Sequence, residues 1–324
     1  MTGAARRPDV AVLVPAWRAE SVLARAVDSA LAQEGVAVEV AVVDDCSPDG
    51  TFAAAEALAA RDPRVVALRQ SRNQGPSAAR NAAIAATTAP WVCPLDSDDF
   101  MEPGRLARML AAAEADALDL LADDLLQVRE SALDGPRRRL WSETPIGALD
   151  IGLEAFVLGN LSERRGGRRE LGFIKPLMRR AFLERHRLAY DEGMRLGEDY
   201  DLYARALAAG GRLRLIDPCG YVGVLREGSL SSSHGASELG HLVGADQRLL
   251  QLDLSRAERA AVRAHLTETQ KRWRWVRLID AVKARDPLEA ARCFAASPAV
   301  IAALLANLTE QAVLRGARLI GVRS

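Results

Sequence analysis

Short apolar runs alternate with helical patterns along the N-terminal part of the chain, and this alternation constrains the fold most strongly. The runs lie at residues 10–14, 38–43, 65–68 and 91–95. Apart from Glu39 they are apolar, as expected for strands that are buried on both faces. Between them lie amphipathic helical patterns with Ser21, Thr51 and Ser77 as candidate N-caps. The order predicts an α/β fold, Rossmann-like, with a mostly parallel sheet and helices on both faces.

Polar residues follow three of the predicted strands. Pro15-Ala16 ends the first, Asp44-Asp45 ends the second, and Asp96-Ser97-Asp98-Asp99 ends the fourth. The carboxyl ends of parallel strands meet at one edge of a sheet, so these residues should converge on one crevice. Clustered carboxylates suit Mg²⁺ or Mn²⁺ shared with substrate phosphates. The residues alone leave a second interpretation open, in which these acids only form helix-capping turns.

Two enzyme classes that also place acids at strand ends fit the sequence less well. A dinucleotide-dependent oxidoreductase needs a glycine-rich turn after the first strand, and residues 15–20 contain no glycine. A nucleotidyltransferase would more typically carry a glycine-rich basic loop there, which is also absent. The 43 basic and 43 acidic residues argue against a protein that binds nucleic acid through bulk electrostatics.

The C-terminal part differs in character. Residues 236–324 carry 14 Lys+Arg and 9 Asp+Glu, a net charge of +5, which leaves residues 1–235 with −5. The Ser/Gly-rich stretch 228–235 is a natural boundary. Beyond it the pattern is helical, with a capping box of Ser255 and Glu258 and helix starts at Pro287 and Pro298.

Residues 271–277 combine cations with two tryptophans. This basic segment could face anionic lipid, or its tryptophans could pack in a core with the cations in water, and the sequence leaves both interpretations open. No apolar run approaches the roughly 18–20 residues that span a bilayer. The four cysteines are scattered, which predicts reduced thiols in a cytoplasmic protein.

Five motifs occur in an order that resembles a known family. They are VLVPAW at 12–17, VVDDCSPDGT at 42–51, NQGPSAARN at 73–81, LDSDD at 95–99 and GEDYDL at 197–202. Together they resemble the family-2 inverting glycosyltransferases of GT-A fold, over roughly residues 8–235. REGSLS at 226–231 resembles the element that closes their catalytic domain. GFIKP at 172–176 resembles bacterial exopolysaccharide enzymes of the succinoglycan type.

The resemblance implies a role for each matching residue. It implies a GT-A catalytic domain over 1–235 with a helical extension over 236–324. Asp199 would be the base that deprotonates the acceptor hydroxyl, with Lys175 and Glu198 as further acceptor-side candidates. Asp98 would hold Mg²⁺ or Mn²⁺ on the donor diphosphate. The donor-binding residues would be Pro15, Ala16, Glu20, Asp45, Arg80 and Asp96, with Asp45 reading the uracil of a UDP-sugar.

The activity implied is transfer of a sugar from a nucleotide-sugar donor, UDP-linked, to a hydroxyl of a glycan or lipid-linked glycan in cell-surface or exopolysaccharide synthesis. Inversion is one in-line displacement, so one base and one Lewis acid suffice. The alternative is a catalytically idle nucleotide-sugar-binding or scaffold protein of an assembly complex. The expected location is the cytoplasm, with peripheral membrane association through the C-terminal helices and no nucleic-acid partner.

Two positions depart from the family pattern. Trp17-Arg18 stands where members often show Tyr-Asn, and Glu227 stands where many carry histidine. The nearby His234 is a candidate metal ligand, or more simply a solvated loop histidine.

Overall fold

The computed structural model describes residues 7–161, 171–226 and 235–319, with side chains to residue 314. Internal contacts divide the chain into two compact units, residues 1–230 and 231–324. Residues 228–234 of the expected boundary stretch, the motif after Arg226, Glu227 and His234 lie outside the described residues.

The described residues form twelve strands. They are β1 (Val10–Ala16), β2 (Val38–Asp44), β3 (Val65–Arg69), β4 (Trp91–Pro94), β5 (Phe100–Met101), β6 (Leu120–Asp123), β7 (Leu126–Arg129), β8 (Arg138–Arg139), β9 (Ala148–Ile151), β10 (Leu177–Arg179), β11 (Leu213–Ile216) and β12 (Tyr221–Leu225).

The same ranges contain eleven α-helices. They are α1 (Leu23–Leu31), α2 (Thr51–Arg61), α3 (Pro76–Ala85), α4 (Arg105–Ala115), α5 (Leu153–Leu158), α6 (Arg180–Arg185), α7 (Glu198–Ala208), α8 (Ala236–Leu249), α9 (Arg256–Ala284), α10 (Pro287–Arg292) and α11 (Pro298–Leu319).

The predicted α/β sheet is confirmed. The large sheet has the order β3-β2-β1-β4-β10-β6-β11-β9, and its first four strands are parallel. Strand β10 is antiparallel to both of its neighbours, and β5-β12-β7-β8 form a second, small sheet. Right-handed crossovers put α1 and α2 on one face and α3 on the other. The winding reverses between β1 and β4, so a ligand crevice is expected beyond their carboxyl ends.

The core that holds the strand ends in place is continuous from the parallel strands to the helices on one face. Alternate side chains of β1 and β2 point into it, as period-2 burial requires. Its fully buried members include Val10, Val12 and Val14 from β1, Val40 and Val42 from β2, Leu23 and Ala26 from α1, and Leu106 and Met109 from α4.

The predicted N-caps of the first three helices are wrong. Helix α1 follows Val22 rather than Ser21, and α2 and α3 follow glycines. The Thr51 Oγ1 accepts from the backbone N–H of Ala19 at 2.8 Å, and the Ser77 hydroxyl donates to the carbonyl of Met194 at 2.9 Å. Contacts with distant segments have taken these hydroxyl groups away from local capping.

Two further segments adopt structures that the local sequence does not reveal. The run from 118 to 128 forms two strands, β6 and β7, which belong to different sheets. The 172–176 segment leads into strand β10, and α6 begins only afterwards. In both places the partner strands come from distant parts of the sequence, so local pattern alone does not reveal the pairing.

In the C-terminal unit, the capping box is confirmed, as are the helix starts at Pro287 and Pro298. Trp275 packs against the buried cluster of Leu278, Cys293 and Leu304. Arg277 forms an ion pair with Glu289 of α10, and the Arg274 guanidinium donates to the carbonyl of Arg292 at 2.9 Å. Much of the basic segment 271–277 therefore holds α10 against α9.

No helix among the described residues is long and apolar enough to cross a bilayer.

Candidate active site

The ends of β1 and β2 are tied to the loop between β3 and α3. The buried Asp45 carboxylate accepts from the backbone N–H of Gln74 at 2.7 Å and of Gly75 at 2.8 Å. The Asp45 N–H donates to the carbonyl of Ala16 at 2.8 Å. Gly75 has φ +93°, a conformation that side-chain-bearing residues rarely adopt. The carboxylate has acceptor capacity left for one more donor.

The turn after β1 contains no glycine, and side-chain hydrogen bonds stabilise its backbone instead. It begins at Pro15 and Ala16, the last two residues of β1. The N–H of Arg18, which has φ +52°, donates to the Ser47 hydroxyl at 3.0 Å. The Glu20 carboxylate accepts from the N–H of Gly50 at 3.0 Å. Each of these contacts joins the turn after β1 to the loop after β2.

A buried arginine connects three carboxylates. Arg80 on α3 is 3% exposed. Its Nη2 lies 2.9 Å from Asp96 Oδ1, and its Nη1 lies 2.8 Å from Glu198 Oε1 and 3.6 Å from Asp199 Oδ1. Burial opposes the charge, but Asp199 and Asp96 outweigh burial and raise the pKa of Arg80.

Lys175 makes a second bridge between the same carboxylates. Its Nζ lies 2.8 Å from Asp199 Oδ2 and 3.0 Å from Asp96 Oδ2. Burial by itself lowers the pKa of Lys175 and favours the neutral amine. The neighbouring Asp199 and Asp96 outweigh burial and raise that pKa. Burial also works against ionisation of Asp96, yet Lys175 and Arg80 together lower its pKa to about 2. In this cluster each charged side chain is therefore stabilised by neighbours of opposite charge.

Asp199 lies in the first turn of α7, which follows Gly197 with φ +72°. An acidic side chain at that place interacts favourably with the helix dipole. Asp199 is 7% exposed, and besides Lys175 it contacts the Tyr203 hydroxyl at 3.4 Å. Glu198 contacts Arg80, whereas Asp199 also reaches Lys175. The two neighbouring acids thus have different partners.

The turn after β4 carries three acids with different partners. Asp96 faces Lys175 and Arg80, as described above. The Asp99 carboxylate accepts from the Tyr221 hydroxyl and the N–H of Val224, both at 2.8 Å. Burial, together with Asp96 and Asp98, raises the pKa of Asp99 to about 8.

Asp98 has a more distant partner than the other two acids of this turn. Its nearest cation is Arg226, whose Nη1 lies 4.0 Å from Asp98 Oδ2. Burial and then Asp96 raise the pKa of Asp98, and Arg226 only partly opposes them. Among the described residues, no group of three His, Cys, Asp or Glu side chains forms a metal cage. One carboxylate with substrate phosphates is the donor set that Mg²⁺ commonly uses.

Sequence reasoning missed a buried ion pair beneath the site. Arg105 Nη2 on α4 lies 2.6 Å from Asp123 Oδ1, and neither residue is exposed to solvent. Arg105 also donates to the carbonyl of Lys175 at 2.9 Å, and its guanidinium stacks on the Tyr221 ring. Asp123 accepts from the N–H of Cys219 at 2.9 Å. Asp123 ends a strand as Asp44 does, which was an available signal, whereas nothing local marks Arg105.

Sequence comparison decides the family. The profile of Glycosyl transferase family 2 matches residues 11–173, about half of the chain. The chain belongs to this family. It is 42% identical over 316 residues to the succinoglycan biosynthesis protein ExoU of Rhizobium meliloti (strain 1021), which covers 95% of this chain and 90% of that protein.

Solved structures place this family-2 chain in the GT-A fold. The crystal structure of S. aureus TarS 1-349 in complex with UDP-GlcNAc superposes with a TM-score of 0.63 at 19% identity, covering 88% of this chain and 90% of that one. The mannosyltransferase PcManGT from Pyrobaculum calidifontis, in complex with GDP-Man and Mn²⁺, gives 0.56 at 19% identity, covering 97% and 83%. The expected fold and family are thereby confirmed.

In this family-2 chain the expected site residues fall into two groups. Pro15, Ala16, Glu20 and Asp45 lie in the loops after β1 and β2, where Asp45 contacts Ala16. Arg80, Asp96, Lys175, Glu198 and Asp199 form one cluster of direct ion pairs. Asp98 lies two residues after Asp96, beside Arg226. The fold brings the residues of each group together. The roles of these residues stay predictions.

Proposed function

We propose that this chain is an inverting glycosyltransferase that moves a sugar from a UDP-linked donor to a hydroxyl of a glycan or lipid-linked glycan acceptor. The observation that carries the proposal is the cluster in which Arg80 and Lys175 join Asp96 to Asp199. An acid of the acidic turn and an acid of α7 thereby face each other across two cations. An in-line displacement needs groups on both sides of the reacting carbon, and this cluster supports both sides.

Asp199 is the proposed base. An acceptor hydroxyl is a poor nucleophile, so its proton must leave as the new bond forms, and a carboxylate in hydrogen-bond reach accepts it. The 2.8 Å contact with Lys175 and the helix body fix the direction of the Asp199 carboxylate. A single displacement needs one base, so a second carboxylate acting as nucleophile is not required.

Asp98 is the proposed ligand of Mg²⁺ or Mn²⁺. The fit rests on the partners of the three acids: Asp96 is bound by two cations and Asp99 by Tyr221 and Val224, which leaves Asp98 for an ion. A bound divalent cation supplies Lewis-acid stabilisation of the departing diphosphate. Arg226 follows β12 and lies beside Asp98, where it adds positive charge on the same side.

The donor side is assigned to the loops after β1 and β2. The remaining acceptor capacity of Asp45 suits the imide N–H of a uracil, with Pro15 and Ala16 alongside and Glu20 holding the loop after β2. TarS, named as bound to UDP-GlcNAc, supports a uridine donor, whereas PcManGT is named with GDP-Man.

The proposed acceptor and place of action are drawn by analogy with the relative. ExoU is named for succinoglycan biosynthesis, which supports an exopolysaccharide glycan, free or lipid-linked, as the acceptor. The four cysteines are free, which supports a place in the reducing cytoplasm. A lipid-linked acceptor would be presented at the inner face of the membrane, so peripheral association through the C-terminal unit is part of this proposal.

Replacing Asp199 tests the mechanism. Asp199→Asn keeps the shape and removes the basicity, so turnover should fall by about 10²–10⁴-fold while UDP binding barely changes. UDP release with an acceptor-competent extract measures turnover, and calorimetry measures UDP binding. Glu198→Gln is the matched control, with a smaller loss. Near wild-type activity of Asp199→Asn with an inactive Glu198→Gln would move the base to Glu198. Activity of both variants would contradict the mechanism.

A further inference from the structure

The buried ion pair between α4 and the end of β6 is unusual in its complete isolation from solvent. Arg105 and Asp123 are both 0% exposed. The Arg105 Nε and Nη2 atoms lie 3.1 Å and 2.6 Å from Asp123 Oδ1. Burial opposes the charge of Arg105, but Asp123 outweighs burial and raises the pKa of Arg105. Arg105 therefore keeps its charge without contact with solvent.

Stability alone gives little reason for such a pair. The cost of taking two charges out of water commonly matches or exceeds their attraction, and apolar side chains of similar volume often serve stability equally well. Removing only one partner is strongly destabilising, because the other charge then stays buried and uncompensated. The other contacts of Arg105 and Asp123 therefore have to explain what the pair does.

On one side, the pair holds the backbone that presents Lys175. The Arg105 Nη2 atom donates to the Lys175 carbonyl at 2.9 Å. Residue 175 lies between the short 3-10 turn Leu171–Phe173 and strand β10, outside any helix or strand. Its side chain joins Asp199 to Asp96, with contacts of 2.8 Å and 3.0 Å. The hydrogen bond from Arg105 therefore helps to place the ammonium group between these two acids.

On the other side, the pair holds the start of β12. The Asp123 Oδ2 atom accepts from the N–H of Cys219 at 2.9 Å and from that of Tyr221 at 3.5 Å. The guanidinium carbon of Arg105 lies 5.1 Å from the centre of the Tyr221 ring, a cation–π contact. The Tyr221 hydroxyl in turn donates to Asp99 in the turn after β4 at 2.8 Å. The ion pair thereby orients the tyrosine that holds the acidic turn.

We propose that Arg105 and Asp123 are positioning residues for sugar transfer, which fix Lys175 and Tyr221 relative to each other and so set the separation of Asp96 and Asp199. The assignment rests on the proposed function. Since neither member of the pair is exposed, neither touches a substrate, and their effect reaches the site only through these contacts. Misplaced reacting groups slow the chemical step more than they weaken substrate binding.

Replacing both charges together tests the pair without leaving one of them unpaired. Arg105→Met/Asp123→Leu should fold with a melting temperature near that of the wild type. Its kcat should fall by about 10²-fold, while its affinity for UDP changes far less. UDP release from a panel of UDP-sugars, with an acceptor-competent extract, measures kcat, and calorimetry measures UDP binding. Leu58→Ala, at a buried core position of α2, is the matched control, with lower stability but wild-type kcat.

A conservative variant keeps the test decisive if the double variant does not fold. Arg105→Lys retains a cation beside Asp123 but lacks the planar fork of donors that also reaches the Lys175 carbonyl. This variant should fold, as circular dichroism would show, and still lose about 10-fold in kcat.

Amide hydrogen exchange supplies a readout that needs no sugar transfer. In Arg105→Met/Asp123→Leu, exchange should quicken in peptides covering residues 172–179 and 217–225, because both segments lose a hydrogen-bond partner. In Leu58→Ala, exchange should quicken in α2 and stay unchanged in those two segments.

The opposite results would overturn the proposal. Wild-type kcat in a folded double variant or in Arg105→Lys, or an equal fall in kcat in Leu58→Ala, would reduce the pair to a stability role. Unchanged exchange in both segments would contradict the contacts on which the proposal depends. A wild type that releases no UDP from any donor would refute the proposed function instead, whereas an active wild type with an equally active double variant would refute this proposal alone.

Discussion

At the scale of single residues, the acids of the site are distinguished by their partners rather than by their positions in the sequence. Asp96 is paired with Arg80 and Lys175, while Asp99 is bound by the Tyr221 hydroxyl. That hydroxyl also accepts from the N–H of Asp96 at 3.2 Å, so one buried group holds both ends of the acidic turn. We therefore regard Tyr221 as a positioning residue for the turn that carries Asp98.

Tyr221→Phe tests that role, because it removes only the hydroxyl. Two partly buried groups, the Asp96 N–H and the Asp99 carboxylate, then lose a partner, which should cost about 1–3 kcal/mol of unfolding free energy. Misplacement of the turn should lower kcat for sugar transfer by about 10–10²-fold. Urea unfolding and a UDP-release assay measure the two effects. Ile151→Val, in a strand at the far edge of the sheet, supplies a comparable stability loss without contact with the turn. An equal fall in kcat for both variants would reduce Tyr221 to a stability role.

At the scale of elements, the strands that the sequence predicts are β1 to β4, whose runs are apolar except for Glu39. The N-cap predictions at Thr51 and Ser77 are wrong because their side-chain hydroxyls form hydrogen bonds with the backbone of Ala19 and Met194. Only the folded topology creates these contacts. The cluster of ion pairs around Arg80 and Lys175 is likewise predictable from local sequence only in part. Local pattern places Asp96 at a strand end and Asp199 at a helix start. Nothing local brings Arg80 and Lys175 between them, and the ordered family motifs were needed for that expectation.

A glycine at the start of α3 gives the element-scale prediction. Gly75 has φ +93° and donates its N–H to Asp45, and an added Cβ would lie 3.3 Å from the Arg195 side chain. Gly75→Ala should cost about 1–2 kcal/mol of stability and weaken UDP binding because the loop that holds Asp45 shifts. Gly210→Ala is the matched control, with φ +85° and no atom near the new Cβ. Calorimetry of UDP binding should separate the two variants, and equal affinities would contradict the donor-side assignment of Asp45.

At the scale of the whole molecule, charge is divided between the two units. Residues 1–235 carry −5 and residues 236–324 carry +5, although the chain is neutral overall. Bulk electrostatics therefore does not attract an anionic nucleotide sugar to the N-terminal part. The negative charge of such a donor therefore has to be balanced locally, by cations placed in the site itself. Arg80 and Lys175 are already engaged with carboxylates, so under the proposed function the charge of the diphosphate would be balanced by Arg226 and by a cation at Asp98.

Global stability in the presence of UDP then reports on that cation. A ligand that binds only the folded state stabilises it by about 2.7 kcal/mol at one hundred times its dissociation constant. UDP with Mn²⁺ should therefore raise the melting temperature of the wild type more than UDP alone, and a chelator should remove the difference. Asp98→Ala should abolish this metal-dependent increment because the carboxylate that shares the ion with the diphosphate is gone. Asp134→Ala, at an exposed acid in the loop after β7, should keep it. An unchanged increment in Asp98→Ala would mean that the ion is held elsewhere, and no increment in the wild type would mean that UDP binds to this chain without one.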